Sequence, residues 1–158
     1  MKKLGEARRY GEEALALNEP DTGYQAALVL GNVHLHQRDQ AADRAFADAT
    51  ARCQAMLDKT PGLYAPRYAL GASLVGQAVR SPRWAEESER PELLAPALAE
   101  YRRALAITAA PGVVQDAIRD LELIQAAGIE GLEPAFELLE SAEYEPDEVS
   151  LDDILPGT

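Results

Sequence analysis

Two histidines, one cysteine and 27 acidic side chains are the groups with which this chain could do chemistry. His34 and His36 are two residues apart. On a helix they point about 200° away from each other, so they cannot share a metal ion. Cys53 stands between Ala49 and Met56 in an amphipathic stretch, the setting of a buried structural thiol. A single cysteine also excludes an intramolecular disulfide and a zinc site built from thiolates. No serine, histidine and aspartate stand in a nucleophile-elbow context, and no glycine loop is shaped to cradle phosphate. The carboxylates are numerous, but no pair stands out from the solvated faces. These residues predict no catalytic set, no metal and no cofactor, and therefore a protein that is not an enzyme.

Charge narrows the partners. All 15 Lys and Arg lie between Met1 and Arg119, with 15 of the 27 acidic residues; the other 12 acidic residues follow Arg119. The net charge of −12 thus sits in the last quarter of the chain. A balanced body with an acidic end lacks the basic footprint that nucleic acid requires. The low-charge run from Tyr68 to Val79 is far short of the roughly 20 residues that span a bilayer, which argues against membrane insertion. The opening MKKLGEARRYGEE has charges with no apolar stretch behind them and does not read as a secretory signal. The expected location is cytoplasmic.

The elements that must position any site are helices. Ala and Leu dominate the apolar residues while Val and Ile are scarce, a mix that favours helix over sheet. Apolar periodicity and proline punctuation predict six or seven helices, near Leu4–Leu17, Thr22–Gln37, Gln40–Lys59, Leu63–Val79, Glu92–Thr108 and Gly112–Ala127, with a short one near Leu132–Ser141. The helix from Val113 to Ala127 is expected to cap the stack.

Two segments share a spacing. Ala27-x2-Leu30-Gly31-x2-His34 is followed by Ala42-x3-Phe46-x2-Ala49. Arg67-x2-Leu70-Gly71-x2-Leu74 is followed by Ala97-x3-Tyr101-x2-Ala104, with Leu-Gly recurring after 40 residues. A glycine in a first helix lets a second helix approach its backbone; an alanine in the second does the same from the other side, and the aromatic fills the space between. Pro20, Pro61 and Pro111 each follow an Ala-rich amphipathic segment and end it.

This pattern resembles the tetratricopeptide repeat, W-x2-L-G-x2-Y, then A-x3-F, then Pro. The resemblance covers roughly Leu4 to Ala127. Ala27 and His34, and Arg67 and Leu74, replace the family's Trp and Tyr, and Pro61 comes about two helical turns late. The resemblance implies an all-α, right-handed solenoid of helical hairpins over residues 1–141, with 142–158 as an acidic tail. It implies a scaffold or adaptor that binds another protein in a groove between first helices. The groove candidates are Gln25, Asn32, His36, Tyr64, Tyr68 and Gln77, with the tyrosines as the natural anchors. His34, at the family's packing aromatic, belongs in the core. The Gly31-Asn32 pair begins the carboxylate clamp of one subclass, but Leu28 replaces its lysine, and Tyr68 and Ala72 occupy the matching positions of the next repeat, so the clamp is not assembled.

Three further features bear on partners. Leu4, Ala7, Tyr10, Ala14, Leu15 and Leu17 give the first helix an apolar face, which looks like a second helix without its partner and predicts self-association or docking at that end. Trp84, in RSPRWAEESERP, either tucks back under its loop or stands as an exposed handle. In the tail, Leu151, Ile154 and Leu155 would share a face of a short helix among acidic neighbours, a hook for a partner. The alternatives to the adaptor are a small acidic chaperone of the secretion type and a regulatory domain that binds a small molecule in the groove.

Overall fold

The computed structural model describes residues 2–17 and 23–142. Seven α-helices follow one another: α1 Lys2–Ala16, α2 Gly23–His36, α3 Ala41–Lys59, α4 Tyr64–Arg80, α5 Arg90–Ile107, α6 Pro111–Gln125 and α7 Glu133–Ala142. No strand occurs among the described residues, so the fold class is all-α. Two short 3-10 turns, Pro82–Ala85 and Glu87–Glu89, fold the long connection before α5.

Proline sets several helix starts. Pro91 and Pro111 lie in the first turns of α5 and α6, where an absent N–H costs nothing. Pro96 lies inside α5, where it removes one helical hydrogen bond. The turn between α2 and α3 places Arg38 at φ 54°, the left-handed region that most side chains avoid. Asp39 follows and accepts the Ala41 N–H at 2.9 Å, satisfying a donor at the start of α3.

The core rests on contacts between glycine and aromatic rings. A Cβ added at Gly31 of α2 would meet the Phe46 ring of α3 at 2.6 Å, and one added at Gly76 of α4 would meet the same ring at 2.5 Å. One edge of Phe46 is therefore wedged between two helices. At Gly71 of α4 a Cβ would meet the Tyr101 ring of α5 at 2.7 Å. Ala42, Phe46 and Ala49 in α3, like Ala97, Tyr101 and Ala104 in α5, are wholly buried. The spaced residues of the two segments thus meet: each Leu-Gly glycine lies against the aromatic of the helix that follows.

Helices α1 to α5 pack in chain order, each against the next, and α2 also touches α4. Helix α6 departs from that order. It packs across α4 and α2 and against α7, while α7 packs against α5. Val114, Ala117, Ile118, Leu121 and Ile124 form its buried face. No described helix is long and apolar enough to cross a membrane.

Candidate functional site

The face on which the sequence places a groove belongs to α2 and α4, and α6 lies over most of it. Two contacts hold α6 there. The Tyr68 hydroxyl, from α4, donates to the Thr108 carbonyl at 2.6 Å, just before α6 begins. Near its other end, His36 Nε2, from α2, donates to the Leu123 carbonyl at 2.8 Å. The last carbonyls of a helix lack intrahelical partners. In α6 those of Glu122, Ile124 and Gln125 are taken by backbone N–H groups of Ala126, Ala127 and Gly128. His36 supplies the donor for Leu123.

The six expected groove residues therefore separate. His36 and Tyr68 hold α6. Asn32 shares a face of α2 with His36, is buried, and its Oδ1 has no hydrogen-bond partner among the described residues. Gln77 does not belong to this face. Nine positions beyond Tyr68 is half a turn out of phase on a helix, and Gln77 Oε1 instead accepts from Thr50 of α3 at 3.4 Å. Gln25 and Tyr64 are exposed, and they remain at the open end of the face.

At that end α2, α4 and α6 enclose a cleft of about 290 Å³. Tyr24 and Gln25 line it from α2, Tyr64 and Tyr68 from α4, and Asp116 and Asp120 from α6. Tyr24 and Tyr68 are 4% and 5% exposed, so they form walls, whereas Tyr64 at 45% stands at the mouth. Gln25 Nε2 donates to the Tyr24 hydroxyl at 3.3 Å. Burial raises the Tyr24 pKa and pushes that of Tyr68 up to about 12, which keeps both hydroxyls protonated as donors.

Asp120 is the unusual member. Burial, and then the charge of Asp116, push its carboxyl up to about 6. It has no hydrogen bond or ion pair among the described residues. Asp116 Oδ1 accepts from Arg119 Nη1 at 2.8 Å. Behind the cleft, Tyr101 is fully buried; burial, with the Asp120 charge, raises its pKa well above the usual phenol value, and its hydroxyl has no partner among the described residues. The Tyr68 and Tyr101 rings lie 6.5 Å apart, tilted at 45°. The cleft thus gathers tyrosine side chains and two carboxylates, with no Lys, Arg or His among its lining residues.

Tyr24, Asp116 and Asp120 were missed in the sequence. Tyr24 adjoins Gln25, but the two aspartates enter only because α6 crosses α2 and α4, which no local spacing signals. Groups of three or more His, Cys, Asp or Glu side chains able to hold a metal do not occur among the described residues.

The remaining candidates fall elsewhere. Trp84 is not an exposed handle: it is 7% exposed, packed beneath the turn at Gly131, with the Arg90 guanidinium 5.2 Å from its ring and Arg90 Nε donating to its carbonyl at 2.9 Å. Gly131 has φ +94° and a Cβ there would meet Trp84 at 3.3 Å, so backbone conformation and space both favour glycine over the indole. His34 is buried, its Nδ1 3.4 Å from Asp39 Oδ2. Cys53 is buried and its thiol is pushed up to about 12 by desolvation, which leaves it unreactive. In α1, Gly11 faces Leu30 of α2, while Tyr10 and, just beyond the helix, Leu17 are 60% and 73% exposed, so part of the expected apolar face is open. The tail hook of Leu151, Ile154 and Leu155 lies outside the described residues. No protein-family model, curated protein or solved structure matches the chain.

Proposed function

We propose that this chain is a helical-repeat adaptor of the tetratricopeptide type that grips another protein at the cleft between α2, α4 and α6. The observation that carries the reading is the repeated contact, Gly31 on Phe46 and Gly71 on Tyr101, in two successive helical hairpins. Such hairpins stack into a solenoid whose first helices share a face, and these faces bind segments of other proteins. Here α6 covers most of that face, so binding concentrates at its open end, where Tyr64 supplies an exposed aromatic anchor.

Copurification tests the adaptor. The native chain should retain a stoichiometric protein partner, and Tyr64→Ala should lose it without a change in melting temperature. Retention of the same partner by Tyr64→Ala would place binding elsewhere. A second reading, a regulatory domain for a small molecule, is favoured by one observation: Tyr24, Tyr68, Asp116 and Asp120 converge on one cleft. At about 290 Å³ the cleft lies at the lower end for small-molecule sites, suiting a side chain or a small metabolite.

A further inference from the structure

We infer that the cleft between α2, α4 and α6 recognises an alkylammonium group, placed between the carboxylates of Asp116 and Asp120 and the walls of Tyr24, Tyr64 and Tyr68. This rests on the reading of the cleft as the binding site and names what binds there.

Asp116 and Asp120 lie one helical turn apart on the same face of α6, and both line the cleft. No Lys, Arg or His lines it. Arg119 takes one oxygen of Asp116, and both side chains are largely exposed. Asp120 is half-buried and has no countercharge among the described residues.

The wall chemistry selects the partner. An anion would face two carboxylates. No group of three or more His, Cys, Asp or Glu side chains that could hold a metal ion lies there among the described residues. Tyrosine rings attract organic cations through their quadrupole, as in the cages that hold quaternary and methylated amines. An ammonium on an alkyl stem satisfies both surfaces: the charge meets Asp116 and Asp120, and the stem lies against the rings. A lysine side chain of a partner protein and a free small amine present the same group.

The test is calorimetric titration of the full chain with choline chloride and with dimethylbutanol, its uncharged isostere. A second pair of probes is a peptide carrying one lysine and the same peptide carrying norleucine. Choline should bind about tenfold more tightly than the alcohol. Asp120→Asn should lose that preference without a lower melting temperature, and Tyr64→Ala should weaken binding of choline several-fold. A lysine peptide that outbinds both its norleucine form and choline identifies a protein as the source, in support of the adaptor. Choline binding as tightly as the peptide, with no effect of the lysine, supports the cation site with a free amine as its ligand and removes the adaptor reading. Choline and the alcohol binding alike, or Asp120→Asn binding choline as the native chain does, overturns the cation site; the adaptor then stands or falls on copurification.

Discussion

Asp120 costs the fold stability at neutral pH. Its folded-state pKa of about 6 lies above the ordinary 3.8, so between these values the folded chain holds a proton that the unfolded chain has released. Stability attributable to this group is full below about pH 4 and falls as the pH rises through about 6. Asp120→Asn keeps the shape and removes the charge. It should stabilise the chain by about 1–2 kcal/mol at pH 7 and by almost nothing at pH 4. Thermal melts of both proteins at the two pH values check this, and an equal difference at both would show that the carboxyl is not desolvated. The sequence could not have singled out this residue. Asp120 is one of 27 acidic side chains, and what distinguishes it is the pair of helices that face it. Tyr64 and Tyr68 both line the cleft, a placement that helical phase made legible, whereas Gln77 lies half a turn out of that phase and faces Thr50.

At the scale of the elements, the glycine contacts are the joints. Phe46 is wholly buried and wedged between Gly31 and Gly76, so it cannot swing away from a methyl group added on either side. Gly76→Ala should destabilise by about 1–3 kcal/mol through overpacking, whereas Gly62→Ala, where a Cβ meets open space, should change little. An unchanged melting temperature for Gly76→Ala would show that the ring has room. Helix positions were readable because proline stops and apolar periodicity are local: α4, expected at Leu63–Val79, runs Tyr64–Arg80. The direction in which α6 packs was not readable. Its apolar positions say that one face is buried, but the contacts that lay it across α2 and α4, Tyr68 on Thr108 and His36 on Leu123, join residues 40 and 87 positions apart. Trp84 was ambiguous for the same reason, since its cover is Gly131, which belongs to the turn between α6 and α7.

For the whole molecule, the charge asymmetry meets the cleft at one residue. The acidic residues after Arg119 begin on α6, and the first of them, Asp120, lines the cleft together with Asp116. Two carboxylates and no basic side chain line the cleft, which selects against anionic partners there. The central claim is that a partner protein docks at the mouth of this cleft and not on the outer surface of α3. A photoreactive phenylalanine placed at Tyr64, and in a second protein at the exposed Ala51 of α3, tests it most directly after irradiation in the native cell. The account predicts one dominant protein adduct at position 64 that is absent at 51 and is suppressed when Asp120→Asn is added. Equal adducts at both positions, or none at 64 while an adduct forms at 51, would contradict it.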